Sequence, residues 1–209
     1  MEVLAGFVRA RDTHSDINEH IPTLRSYAEK CSHVTECGVR TVVSSWAFAA
    51  GLLQQPGARL VQVDPFKSTE VEQFQQAAAR MGLDTKFHEA SDLDCPLEPT
   101  DMLFIDTWHV YGQMKRELQR WHPWVKKFIS MHDTTVDEFF GETLRCGGNV
   151  EEQAASSGFP RAEIARGICP AIAEFLEEHP EWRVRERFTN NNGLTVLERT
   201  DAWLDPERI

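Results

Sequence analysis

Nowhere in the 209 residues is there a run approaching the roughly 18 apolar residues of a membrane-spanning helix, so no membrane partner is expected. Basic residues are scarce beside acidic ones, 22 Lys and Arg against 33 Asp and Glu, for a net charge of −11. A surface of that sign repels nucleic-acid backbones, and no nucleic-acid partner is expected. The five cysteines (Cys31, Cys37, Cys95, Cys146, Cys169) are odd in number and never spaced as CxxC. That speaks against a disulfide frame and a zinc ribbon, and for free thiols in a reducing compartment. The stretch Met1-Glu2-Val3-Leu4-Ala5-Gly6 lacks a basic region ahead of a long apolar core, so no signal peptide is expected. A cytoplasmic protein is the expectation from these absences together. Internal repeats, low-complexity tracts and a linker that would split the chain are also missing.

What is present is an ordinary globular composition, 41% apolar and 26% charged. It is expected to form one domain over residues 1–209. Ser15-Asp16 can cap a helix over 16–31, with Ile17, Ile21, Leu24 and Tyr27 at helical spacing, making residues 1–32 an amino-terminal helical cap. Strands are predicted at 34–37, 59–64, 84–88, 101–106 and 127–131, and helices at 41–53, 70–81, 111–121 and 168–178. Two last strands, near 182–189 and 193–198, flank the hairpin signal Thr189-Asn190-Asn191-Asn192-Gly193. Residues 134–165 are read as irregular and as an acceptor-side lid. Alternating strand and helix imply an α/β fold, a doubly wound parallel sheet with helices on both faces, closed by an antiparallel pair.

Four predicted strand ends carry polar groups to one edge of that sheet: Glu36, Asp64, Asp106 and His132-Asp133. One such acid is most simply a turn or helix cap. Four in register converge where open α/β sheets bind ligands. The first end continues as Glu36-Cys37-Gly38-Val39-Arg40-Thr41-Val42, a tight turn lacking the further glycines of a pyrophosphate loop. Asp64 suits the two hydroxyls of a ribose. Adenosine carrying a sulfonium meets both demands, because S-adenosyl-L-methionine has no phosphate and its ammonium group gains from an acid such as Glu36. A nicotinamide-dependent oxidoreductase is the rival from another enzyme class.

The segments His33–Arg40, Val63-Asp64-Pro65, Phe104–Tyr111, Met131–Thr134 and Asn192–Leu197 resemble class I S-adenosylmethionine-dependent methyltransferases. They are most similar to the branch of small O-methyltransferases and cephalosporin-hydroxylase-like proteins, over about residues 16–199. The resemblance implies a seven-stranded Rossmann-like sheet with an antiparallel last strand. It implies a cofactor site of Glu36, Gly38, Val39, Ser44, Asp64, Ser91, Asp92 and Asp106. It also implies Asp106 and His109 as catalytic groups, His109 standing where the relatives place a lysine base. Asp106, His132 and Asp133 fall where metal-dependent members hold magnesium. An Asp/His/Asp set suits manganese, iron or zinc about as well.

The expected activity is methyl transfer to a hydroxyl of a small molecule or sugar, with a divalent metal (magnesium or manganese) as a further expectation. The imidazole of His109, with an ordinary pKa near 6.5, suits a general base, and the bland alternative is a helix cap. Trp108 is either pocket wall or core, and Trp121, His122 and Trp124 are read as packing around Pro123. A protein that binds the cofactor without transferring methyl groups is the third reading. The oligomeric state is left open, a homo-oligomer included.

Overall fold

Apolar runs that stop at an acid, a proline or a glycine become strands at nearly the predicted places. The computed structural model describes residues 2–208, so Met1 and Ile209 of the expected domain lie outside the described residues. The strands are β1 (His33–Cys37), β2 (Arg59–Asp64), β3 (Asp84–Glu89), β4 (Thr100–Ile105), β5 (Val125–His132), β6 (Trp182–Phe188) and β7 (Leu194–Arg199). They form one sheet in the order β3-β2-β1-β4-β5-β7-β6. The first five run parallel, and β7 lies antiparallel to both β5 and β6. The strand order reverses between β1 and β4, which opens a crevice at their carboxyl ends.

The helices are α1 (Glu2–Asp12), α2 (Ile21–Ala28), α3 (Val43–Leu52), α4 (Thr69–Arg80), α5 (Tyr111–Trp121), α6 (Glu142–Arg145), α7 (Val150–Ser157), α8 (Arg161–Ala165) and α9 (Cys169–Glu178). On one sheet face α1 to α4 bury residues such as Phe7, Leu24, Phe48 and Phe74 against Val34, Leu60 and Phe104. On the other, α5 and α9 bury Met114, Trp121 and Phe175 against Val63, Ile105 and Ile129. The predicted packing of Trp121 holds, since it is 1% exposed.

Two expectations are corrected. The helix expected over 16–31 is a 3₁₀ turn (Asn18–His20) followed by α2. Pro22 lacks an amide hydrogen and is tolerated only in a helix's first turn, so the α-helix begins at Ile21. The segment 134–165 is not irregular throughout but carries α6, α7 and α8. Such short helices show little periodicity and depend on tertiary contacts. Here Glu142 N bonds His109 O, Gly141 N bonds Ala165 O, and Tyr111 N bonds Arg166 O. Among the described residues no helix is long and apolar enough to cross a membrane, and the five cysteines are free.

Candidate active site

A cavity of about 870 Å³ opens at the β1/β4 crevice, a size suited to small-molecule sites (roughly 300–1,000 Å³). Gly38, Val39, Ser44, Asp64, Ser91, Asp92, Asp106, His109 and Asp133 line it, so most of the predicted site residues are brought together. Glu36 and His132 do not line it. Trp108 does, with its indole N–H 3.2 Å from Thr143 Oγ1 and its ring stacked on Phe159.

The turn after β1 keeps a glycine-like backbone without most of the glycines. Gly38, Arg40 and Val42 have φ of 83°, 44° and 61°. At Gly38 the left-handed conformation is joined by close packing, since a Cβ there would run into the carbonyl oxygen of Asp106. At Arg40 and Val42 the same region costs about 1–2 kcal/mol each. Asp64 holds the turn in place. Its Oδ2 accepts from Val39 N (2.8 Å) and Arg40 N (3.1 Å), and its Oδ1 from Phe66 N (2.9 Å). Three of about four lone-pair positions are therefore used within the chain. A ribose would find one free acceptor site rather than the two expected.

Glu36 is a correction. Strand alternation puts it on the face of Val34, toward α3, rather than toward the crevice. It is fully buried and accepts from Ser44 Oγ (2.5 Å), Ser45 Oγ (2.6 Å) and Gln62 Nε2 (3.1 Å). Burial raises its pKa to about 7, against the pull of those three hydrogen bonds. It braces the start of α3 and is not placed to meet a ligand's ammonium group.

Ser91 and Asp92 follow β3. Ser91 Oγ accepts from Leu93 N, and Asp92 Oδ1 accepts from Gln113 Nε2 at 3.1 Å. Glu117 sits behind them, 0% exposed. Burial raises Asp92, and burial together with the facing Asp92 carboxylate raises Glu117 well above the usual range.

Past β4 and β5 lies a dense polar cluster. His109 Nε2 is 3.2 Å from Asp106 Oδ1, and its Nδ1 is 3.2 Å from Asp133 Oδ2, 3.4 Å from Glu142 Oε2 and 3.8 Å from Asp137 Oδ2. Burial disfavours a charged imidazole, but Asp106, Glu142 and Asp133 outweigh it and hold His109 well above its ordinary value. The expectation of a free base near 6.5 is corrected by these neighbours. Burial likewise opposes ionisation of Asp106, yet the His109 and His132 imidazoles keep it well below the usual carboxylate range. Burial raises Asp133, against the pull of the same two rings. Asp133 also holds φ = 58°, a left-handed backbone that Asp adopts more readily than most residues.

His132 departs from its expected ligand role. Its Nε2 faces the backbone carbonyls of Asp16 (3.1 Å) and Asn191 (3.2 Å), and its Nδ1 lies 3.4 Å from Asp106 and 3.3 Å from Asp133. It stands behind the two carboxylates and positions them. Within this cluster the donor atoms of Asp106, His109 and Asp133 converge within 4.8 Å of one another. Both ring nitrogens of His109 and Asp133 Oδ1 are buried without a well-directed hydrogen bond. Orphan donors and acceptors of that kind, in a mixed oxygen and nitrogen set, fit a divalent ion.

Sequence reasoning missed Asp137, Glu142 and Arg145. Asp137 is 0% exposed and takes a two-pronged contact from Arg145, at 2.6 and 2.8 Å. The one available signal was spacing, because Asp137 follows Asp133 by one turn and its N–H bonds Asp133 O at 3.0 Å. Asn192, in the β6–β7 hairpin, also reaches the cavity wall.

Fold and site define an architecture: a Rossmann-like sheet with a ligand-sized cavity at its switch point. Residues 35–134 match the family described as a methyltransferase domain. Among solved structures, a protein from Corynebacterium glutamicum is similar at 16% identity over 94% of this chain and 90% of its own, with a TM-score of 0.62. The O-methyltransferase TomG from Streptomyces achromogenes, involved in tomaymycin synthesis and solved with SAM, is 17% identical over 96% and 91%, with a TM-score of 0.56. The SAH-bound methyltransferase PaMTH1 from Podospora anserina is 17% identical over 95% and 88%, with a TM-score of 0.52. No curated protein matches the sequence.

Proposed function

We propose that the chain transfers the methyl group of S-adenosylmethionine to a hydroxyl of a small molecule or sugar. The observation that carries this reading is a single cavity with two halves. One half holds the Gly38 turn, Asp64, Ser91 and Asp92, and the other the Asp106–His109–Asp133 cluster. The SAM in the TomG structure and the SAH in that of PaMTH1 support S-adenosylmethionine as the cofactor here. Four carboxylates (Asp106, Asp133, Asp137, Glu142) against two imidazoles and one guanidinium make a net negative wall that favours a sulfonium.

In the transfer the C–S bond breaks as an O–C bond forms, and the hydroxyl proton must leave. Both nitrogens of His109 already face carboxylates, so Asp133, whose carboxyl burial raises, is the group placed to accept that proton. His109 acts as the positive partner that keeps two acids side by side. A divalent ion, if one is used, would be held by Asp106, His109 and Asp133. It would make the bound hydroxyl more acidic, and the imidazole favours manganese, iron or zinc over magnesium.

Calorimetric titration with S-adenosylhomocysteine and with NADH tests the cofactor. Micromolar binding of the first and none of the second is expected, and the reverse refutes the reading. His109→Ala, Asp106→Ala and Asp133→Ala should each abolish methyl transfer, with S-adenosylhomocysteine affinity kept in the His109 and Asp133 variants. Unimpaired turnover in all three removes the assignment of the cluster. The charged surroundings of His109 also favour a second reading, a cofactor-binding protein without turnover. That reading is selected if the cofactor binds and no hydroxyl acceptor is methylated.

A further inference from the structure

On the sheet edge opposite the cavity, three side chains converge that the methyl-transfer reading does not use. His122 opens the 3₁₀ turn His122–Trp124 between α5 and β5. His179 caps the carboxyl end of α9, and Glu181 immediately precedes β6. Both β5 and β6 are antiparallel to β7, so their amino ends meet at this edge. His179 Nδ1 is 3.1 Å and His122 Nδ1 3.9 Å from the same oxygen, Glu181 Oε1. The three donor atoms all lie within 4.8 Å of one another.

We propose that His122, His179 and Glu181 form a second cation site, one that takes a divalent transition ion of the zinc class. Zinc bonds of about 2.0–2.2 Å at tetrahedral angles place donor atoms roughly 3.3–3.6 Å apart. The two measured separations bracket that spacing, so small side-chain rotations suffice. His122 Nδ1 is buried without a hydrogen-bond partner, an orphan that a metal bond would satisfy. On binding, each ring carries its remaining proton on Nε2.

The surroundings hold the three groups in place. The two imidazole centroids are 4.0 Å apart, and Phe175 packs against both rings at 5.5 and 4.7 Å. Arg199 Nη2 bonds His122 O, Trp182 N bonds His179 O, and Thr200 N bonds Glu181 O. The side chains keep 17%, 23% and 23% exposure, which leaves an entry path and room for a water as fourth ligand. Two nitrogens and one carboxylate suit zinc, cobalt or nickel rather than magnesium or calcium. An ion there would clip the α9–β6 turn to the α5–β5 corner and stabilise the fold by mass action.

Equilibrium dialysis against zinc at neutral pH, with the full chain, tests this. The wild type should bind one more zinc per chain than His122→Ala or His179→Ala. Any zinc at Asp106, His109 and Asp133 is common to all three proteins and cancels. Glu181→Gln should weaken the extra site by at least about tenfold. Zinc should also raise the melting temperature more in the wild type than in His179→Gln, a turn variant that removes a ligand with little loss of volume. Equal zinc stoichiometry in wild type and both alanine variants would overturn the site, as would equal melting shifts in wild type and His179→Gln.

Discussion

Glu36→Gln should flatten the dependence of folding stability on pH between about 4.5 and 7. The folded carboxyl titrates at about 7 because burial outweighs three hydrogen bonds, whereas an ordinary glutamate titrates at 4.5. Between those values the folded chain holds a proton that the unfolded chain has released. Stability from this group is therefore full below 4.5, falls as pH rises toward 7, and is level above it. At about 1.4 kcal/mol per pKa unit the loss is on the order of 3 kcal/mol. Glutamine keeps the shape and an acceptor oxygen for Ser44 and Ser45, whose hydroxyls can rotate to suit its amide. Urea unfolding of both proteins from pH 5 to 8 provides the assay, and the difference between the curves cancels other titrating groups. Wild type should lose about 2–3 kcal/mol more than the variant over that range. Parallel curves would refute the placement of Glu36 as a buried, ligand-free carboxyl.

Three further outcomes follow from the same geometry. Gly38→Ala combines a positive φ with a clash against the Asp106 carbonyl, and should cost about 2–5 kcal/mol by chemical denaturation. Asp64→Ala removes the acceptor for Val39 N, Arg40 N and Phe66 N. It should weaken S-adenosylhomocysteine binding by about 10–100-fold in calorimetry, the worth of a charge-assisted hydrogen bond. Arg145→Ala leaves the buried Asp137 carboxylate without its guanidinium partner. Denaturation should show a loss of about 2–3 kcal/mol, somewhat below the usual cost of breaking a buried pair because Arg145 is partly exposed.

The sheet and the cavity edge were legible because β2, β4 and β5 carry apolar runs that stop at a charged or polar residue. Asp64, Asp106 and Asp133 stand at such ends and line the cavity. Glu36 stands at one too, but period-two alternation turns it away. Its partners were visible as Ser44, Ser45 and a lone Gln62 inside the apolar β2, where Gln62 pairs in register with Glu36. The choice between His109 and His132 was not legible, since both lie near strand ends. Chain crossing decided it, by laying the carbonyls of Asp16 and Asn191 against His132 Nε2. Glu142 and Arg145 lie in a four-residue helix whose position is set by hydrogen bonds to distant backbone. No local pattern encodes that.

A crystal structure with S-adenosylhomocysteine bound tests the central claim most directly. The ribose should lie within hydrogen-bond distance of the Asp64 carboxylate, the adenine beside Ser91 and Asp92, and the sulfur toward Asp106 and Asp133. An adenosine bound in another cavity, or reversed so that its sulfur faces Asp92, would contradict the assignment of this site to methyl transfer.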